Sequence, residues 1–298
     1  MPRSSRKKES LTTLQDAELM AVVLEGRHGA FAAEVAESLV GADHVVRDMD
    51  PSMGAEDFSF MLLERPGCFV KLGQLGKDGP WAVVGGDGQG KLIAFEAKTG
   101  KVVWAVDPRH DKTVPLSGSP LFAGDKIIVP ISAIDVANSM RPNFECCKAH
   151  GAVALVNAAD GVVLWTWHTM PDAKPLGRKN SQGVEMFGPS GAPIWSSPSV
   201  DTKAGVVYVS TGENTSPPAT NTSDSLVAID FATGKQKWVF QALENDVWNM
   251  SCPIGSPTGG RAPGPNCFFA AEGSVLRDHD FGGGPLIWRG KGKTLILG

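Results

Sequence analysis

No stretch of the sequence approaches the ~20 consecutive apolar residues that a membrane-spanning helix requires, which excludes a helical span. The basic start, Arg3 to Lys8, is not followed by the apolar core of about 7–15 residues that a secretory signal needs, so no export signal is expected in the chain as written and the basic run reads as a solvated tail. Positive charge is scarce throughout: 28 Lys and Arg stand against 32 Asp and Glu, for a formal charge of −4. Phosphate backbones are held by clustered cations, so nucleic-acid binding is excluded as a main role. Cysteine is limited to five residues, an odd number, and Cys146 and Cys147 are adjacent. That pair is either two plain thiols or a strained vicinal disulfide, and it closes no loop of its own. The sequence has no G-x-S-x-G elbow, no H-E-x-x-H pair and no Walker-type loop, which removes the commonest routes to hydrolase and nucleotide chemistry.

What is abundant is punctuation. There are 35 Gly and 21 Pro, with eight Trp against a single Tyr, a composition suited to many short strands joined by tight turns. The first part of the chain differs. From Leu14 to about Leu63 the residues are mainly Ala, Leu, Val and Glu, and Phe31, Val35 and Leu39 recur at a helical interval. Residues 14–65 are therefore expected to be mainly helical, with any strand confined to the region around Cys68–Leu72. Beyond Gly79 short β-rich runs such as Trp81–Gly85, Lys126–Pro130 and Val206–Ser210 alternate with Gly, Asp and Asn turns. A boundary near Gly76–Pro80 divides the chain into an α-rich segment, 1–79, and a β-rich one, 80–298.

The β-rich part repeats itself. With Gly100, Gly161 and Gly234 aligned, the segments LIAFEAKTGKVVW, VALVNAADGVVLW and LVAIDFATGKQKW superpose, each with an apolar residue eight before the Gly and a Trp four after it. The spacings of 61 and 73 residues mark one supersecondary unit with variable insertions. Each segment reads as two strands around a turn whose Gly supplies positive φ. Further strands precede each hairpin, as in SPLFAGDKIIVPIS and SPSVDTKAGVVYVSTG, and four antiparallel strands per unit make a propeller blade. The expected architecture is mostly β, an incomplete propeller of about three to four blades with a short α-rich N-terminal segment. Unrelated hairpins in a sandwich are the alternative.

The repeat A-x-D-x-x-TGK-x-x-W resembles the tryptophan-docking signature of the pyrroloquinoline-quinone (PQQ) dependent dehydrogenases, whose propellers form an eight-bladed ring. Within that family the runs FECCKAHGAVALVNAADGVVLW, GPSGAPIWSSPSVDTKAGVVYVSTGEN and ENDVWNMSC look most like the polyvinyl-alcohol dehydrogenases, a likeness covering about 81–298. The resemblance implies an alcohol or polymer-alcohol substrate, PQQ and Ca²⁺ as cofactors, a cytochrome as electron acceptor and a periplasmic location. It implies roles residue by residue. Glu145 matches a Ca²⁺ ligand, and the family's Asn ligand falls at Glu213, TGEN standing where the family has TGN, so that either this carboxylate or Asn214 takes its place. Trp195 matches the indole on which the quinone stacks, and Cys146–Cys147 the disulfide over its other face, although in a different blade segment. The family's general base follows a Trp, but here that pair is Trp248–Asn249. An amide cannot accept the proton, so Asp246 or Asp280 is left to serve. Plainer readings stand beside these: Trp195 as a blade-core residue, Glu145 as a surface carboxylate, the cysteines as ordinary thiols. Less than half of a ring is visible, so open blade edges, self-association and weak activity of a monomer are expected.

Residues 28–79, with PSMGAEDFSFMLLERPGCFVKLGQLG, resemble the tail of the hippurate-hydrolase type of amidohydrolases, which are two-metal enzymes. Their ligand set is not present here. Glu56 and Asp57 read as helix N-terminal acids rather than a catalytic pair, and His28 and His44 have no partner at metal-ligand spacing. Three functional classes follow: a PQQ-dependent alcohol oxidoreductase, a non-catalytic blade module or fusion fragment, and an amidohydrolase-like hydrolase.

Overall fold

The computed structural model of the chain describes residues 19–23, 45–46, 69–73, 81–84, 90–96, 99, 101–252, 263–268, 278–290 and 292–298. The GAEDF motif with Glu56 and Asp57, His28, His44, Cys68 and the boundary at Gly76–Pro80 lie outside the described residues. The chain divides into two compact units, Met1–Val83 with Phe95–Lys101, and Val84–Ala94 with Val102–Gly298.

In the first unit, β1 (Leu19–Val23), β2 (Val45–Val46) and β3 (Phe69–Gly73) form a sheet in the order β2-β1-β3, with β1 parallel to β2 and antiparallel to β3. β3 falls where a strand was expected. β1 and β2 correct the expectation that any strand is confined to the region around Cys68–Leu72. The run LMAVV is short and apolar throughout, and such a run has no periodicity to separate a buried strand from a helix turn. The remainder of 14–65 lies outside the described residues.

The next strands are β4 (Trp81–Val84), β5 (Leu92–Glu96) and β6 (Val102–Val106). In the second unit, β7 (Leu121–Ala123), β8 (Lys126–Ile131), β9 (Ala152–Asn157) and β10 (Val163–His168) form an antiparallel four-stranded sheet, with one helical turn, α1 (Asp135–Asn138), between β8 and β9. β11 (Lys174–Lys179) pairs with β12 (Glu185–Gly188), and β13 (Ser190–Gly191) follows. Next come β14 (Ser199–Asp201), β15 (Val206–Ser210), β16 (Asn214–Ser216), β17 (Ser225–Asp230) and β18 (Gln236–Gln241). Four of these make a second antiparallel sheet, β14-β15-β17-β18, while β16 returns to pair with β13. β19 (Leu286–Gly290) and β20 (Lys293–Leu297) form a hairpin whose Ile287 and Ile296 pack on Val206, Tyr208 and Ala228.

The two four-stranded sheets are blades. Their central strands are buried along almost their whole length, because both faces are covered, and they read as continuous Val, Ile, Leu and Ala rather than as alternation. One core joins them: Ile128, Val153 and Leu155 of the first sheet pack with Val207, Val209, Val227 and Ile229 of the second. The outer strands β10 and β18 carry the exposed side chains. The repeated sequence gives repeated geometry down to an irregularity in the ladder. Val163 faces Val156 and Trp165 faces Leu155, while Gln236 faces Ile229 and Trp238 faces Ala228, so each outer strand has a bulge just before its Trp.

Two of the three repeat tryptophans, Trp104 and Trp165, are seated on the turn of the following unit. The Trp104 indole N–H donates to Ala158 O at 3.0 Å, and Trp165 donates to Phe231 O at 3.1 Å. Beneath them lie Gly161 (φ +75) and Gly234 (φ +70), where a Cβ would come within 2.8 Å and 2.7 Å of the ring. Gly234→Ala is expected to cost about 2–4 kcal/mol in urea denaturation, from left-handed strain plus a displaced indole. Gly205→Ala is the control, with φ +66 and nothing within 4 Å of its Cβ. It should lose only the backbone part, about 1 kcal/mol. Equal losses at the two positions would mean that the indole seat does not require glycine.

Candidate active site

Acidic residues gather where three segments end. β15 runs into Thr211-Gly212-Glu213, Asp224 immediately precedes β17, and Asp246 follows β18, all three acids being buried. Asp278 and Asp280 arrive on the segment before β19 and keep part of their surface in water. The Glu213 backbone is pinned: its carbonyl accepts the Ala192 N–H at 2.6 Å, and its N–H donates to Asp280 Oδ1 at 3.2 Å. Gly212 makes the approach feasible, since a Cβ there would lie 1.8 Å from Asp280 Oδ1. One carboxylate oxygen from each of Glu213, Asp278 and Asp280 lies within 4.8 Å of the others. The three described non-glycine residues with positive φ, Ala192, Asp224 and Asn245, all adjoin these acids. Backbone strain of this kind collects at functional sites.

The electrostatics follow from burial and from the crowding of like charges. Burial, then repulsion from Asp280, holds the Glu213 carboxyl well above the usual carboxylate range. Asp280 is raised as well by burial, against hydrogen bonds from Glu213 and the Trp195 indole. Burial, then Asp246 and Asp280, push Asp224 up to about 8, the Ser223 hydroxyl offsetting little. Burial, then Asp280 and Asp246, bring Asp278 to about 6. Closely set oxygen donors short of positive charge are what a hard cation such as Ca²⁺ takes, and the residues fit one.

Trp195 is half-buried, hydrogen-bonded to Asp280 and set against Gly282, whose Cβ would meet the indole at 3.4 Å. Unlike Trp165, it is not packed against the core shared by the two blades. A flat ring beside the acids suits a stacked π-system.

The other expected residues are placed differently. Glu145 is exposed and paired with Lys148 Nζ, and it is not a member of the acid cluster. Asn214 is buried, but its Oδ1 accepts from Thr220 N at 2.8 Å and its Nδ2 donates to Ser190 O at 3.2 Å, so its carboxamide is spent on the fold. Cys146 and Cys147 are joined in a disulfide. The disulfide is fully buried against Met186, Phe268, Phe144 and Leu176, so no sulfur face is open for stacking in this arrangement. Its segment is anchored by Asp135 Oδ2, which accepts the N–H of Lys148 at 2.6 Å and of Ala149 at 2.8 Å. Asn249 is structural: it donates to Thr215 O and Asn266 O, both at 3.1 Å, and accepts from Ser251 N at 3.0 Å.

Sequence reasoning missed Asp224 and Asp278 as members of the acid cluster, the Cys252–Cys267 disulfide and a group of three histidines, His110, His150 and His168. None has a spacing motif. Only the DHDFG run, which carries Asp278 and Asp280, gave a signal that could have been extended.

A family profile described as the glucose/ethanol/alcohol dehydrogenase β-propeller domain (PQQ) matches residues 106–257. A polyvinylalcohol dehydrogenase of Pseudomonas sp. is 35% identical over 179 residues, covering 60% of this chain and 28% of that one. A second, from Sphingopyxis sp. (strain 113P3), is 35% identical over 160 residues, covering 54% and 24%. The crystal structure of the quinohemoprotein alcohol dehydrogenase from Comamonas testosteroni aligns with a TM-score of 0.46 at 20% identity, over 73% of this chain and 30% of that one. The matched part spans about a quarter of the length of the two polyvinylalcohol dehydrogenases. With its blade repeat and seated tryptophans inside a profile match over about half its length, the chain belongs to the PQQ family of alcohol dehydrogenase β-propeller domains.

Proposed function

We propose that the chain supplies part of the redox site of a quinoprotein alcohol dehydrogenase acting on an alcohol or polymer alcohol. The observation that carries this reading is the carboxylate cluster beside Trp195, with Glu213 buried and Asp278 and Asp280 partly in water, inside the matched propeller region or next to it in space. Glu213, Asp278 and Asp280 would hold Ca²⁺, and Trp195 would offer one stacking face. PQQ, when bound, provides the two-electron oxidising capacity that side chains lack. The chain's own part is to position the alcohol and take its proton. Asp280 is committed to Glu213 and Trp195, which leaves Asp246, buried near Asp224 and Asp278, as the base.

The same reading takes residues 80–298 as partial propeller and 1–79 as a separate segment of amidohydrolase type. It includes electron transfer to a cytochrome, self-association through blade edges and a periplasmic location. Two disulfides suit an oxidising compartment.

The test is to incubate the purified chain with PQQ and Ca²⁺, separate free quinone by gel filtration, and record quinone absorbance and oligomeric state in the protein fraction. Retained quinone that polyvinyl alcohol or a small secondary alcohol reduces is expected, with retention lost in Glu213→Gln. Quinone eluting wholly free of protein in every oligomeric state would overturn the reading.

A further inference from the structure

We propose that His110, His150 and His168 form a second cation site, a three-histidine centre for a borderline divalent metal such as Zn²⁺, which shares no residue with the acid cluster. The residues come from separate places. His110 lies on the loop between β6 and β7, His150 stands just before β9, and His168 is the last residue of β10. Folding brings one ring nitrogen of each within 4.8 Å of the others. The ring centroids are 4.3 Å apart for His110 and His150, 4.9 Å for His110 and His168, and 5.2 Å for His150 and His168.

Packing alone does not account for this group. His150 is 2% exposed, and its Nε2 lies 2.9 Å from His168 Nδ1, a contact that satisfies one nitrogen on each ring. The His150 Nδ1 and both nitrogens of His110 are also buried, and none has a hydrogen-bond partner. Buried polar atoms without partners are uncommon because each forfeits its hydration. An apolar side chain would fill the same space without that cost. A metal ion changes the balance, since it takes a lone pair from each ring.

The dimensions suit such an ion. Three nitrogens at the Zn–N bond length of about 2.0–2.1 Å sit roughly 3.3 Å from one another around a tetrahedral centre. The nitrogens are close enough, and the stacked His110 and His150 rings, now 23° apart in plane, would turn so that their in-plane lone pairs converge on the ion. Burial lowers the pKa of all three imidazoles, which favours the neutral form that ligates. Asp111 and Asp172 supply nearby negative charge. The Asp111 carboxylate is held by Thr113 through its N–H and its hydroxyl, both at 2.8 Å, so it acts on the site as a fixed charge.

Donor chemistry separates the two centres. Imidazole nitrogen selects Zn²⁺, Cu²⁺ or Ni²⁺, whereas the carboxylates of Glu213, Asp278 and Asp280 select a hard cation. Three protein ligands leave the fourth metal position to water or an incoming ligand. The ion would also tie the 107–114 loop to the blade made by β7 to β10.

The experiment uses the full chain, stripped with a chelator and titrated with Co²⁺ in excess Ca²⁺. One Co²⁺ per chain is expected, with the visible d–d absorption of a nitrogen-ligated, low-coordinate centre, bleached by one equivalent of Zn²⁺. His110→Gln and His168→Gln should each weaken the affinity at least about tenfold; His168 is on the surface, so its replacement leaves the core intact. Glu213→Gln should leave the Co²⁺ spectrum unchanged. Absence of the band in the wild-type chain, or a band that persists in both histidine variants and disappears in Glu213→Gln, overturns the proposal.

Discussion

In a chelating buffer the protein is expected to lose stability as the pH rises from about 6.5 to 8, and millimolar Ca²⁺ is expected to abolish that loss. Asp224 and Asp278 have folded-state pKa values raised to about 8 and about 6. A raised carboxyl binds its proton more tightly when folded, so its contribution is complete below the unfolded value near 4 and disappears as the pH climbs through the folded value. The histidines act in the opposite direction at lower pH. Burial depresses His150 to about 4 and also lowers His110 and His168, so stability gained from their deprotonation rises toward the ordinary histidine value near 6.5 and is flat above it. Between about 6.5 and 8 the fall from Asp224 is therefore unopposed by them.

The slope is about 1.4 kcal/mol per pH unit for each proton held only by the folded state, giving on the order of 2 kcal/mol over this range. Asp224→Asn removes the charge that must be buried, and it should flatten the profile and raise stability at pH 8. Ca²⁺ acts by binding the folded state alone, stabilising it as its concentration exceeds its Kd. Urea denaturation at pH 6.5, 7.25 and 8, with and without Ca²⁺, measures each part. A flat or rising apo profile in the wild-type chain would show that Asp224 is not strained by burial.

The blades were legible because their repeat is a mechanical requirement. Gly161 and Gly234 occupy positive φ under an indole, and Trp165 and Trp238 sit one bulge away from the turn. No other residue type meets the first demand cheaply, so the pattern survives in the sequence and predicts the ladder. The N-terminal segment had no such constraint, and LMAVV, read as helix, is β1. The site was half legible. Glu213 and Asp280 were named from different motifs, and the fold brings them together with Trp195. Asp224 and Asp278 belong to the same pocket, but membership depends on where three separate loops end, which no spacing encodes. Glu145 lies apart from that cluster, at the surface. Its neighbour three residues on, Lys148, pairs with it at the surface.

Asn266→Ala is expected to cost about 2–3 kcal/mol, comparable to loss of the neighbouring disulfide. The Asn266 side chain is completely buried and fully used: Nδ2 donates to Ser139 O at 2.8 Å and to Arg141 O at 3.0 Å, while Oδ1 accepts from Asn180 Nδ2 at 2.9 Å. Alanine removes all three bonds at once: the buried Ser139 O loses its side-chain partner, at about 1–3 kcal/mol, while Arg141 O keeps the Phe144 N–H and the Asn180 amide keeps Pro142 O. Water cannot substitute unless the segment opens. The Cys252–Cys267 bridge spans 15 residues, and a loop of that length is worth about 3 kcal/mol through restriction of the unfolded chain. Both features hold the segment that follows Asp246, because Asn266 also receives the Asn249 amide at 3.1 Å and donates its N–H to Ser251 Oγ at 3.1 Å. Removing both by Asn266→Ala with Cys252→Ala and Cys267→Ala should therefore cost less than the sum of the separate losses. Glu213, Asp278 and Asp280 lie on other segments, so stabilisation by Ca²⁺ should persist in Asn266→Ala, whereas under the proposed assignment of Asp246 as the base any alcohol oxidation by the chain should fall. A loss below about 1 kcal/mol in urea denaturation, with Asp246-dependent activity intact, would show that backbone hydrogen bonds alone fix this segment.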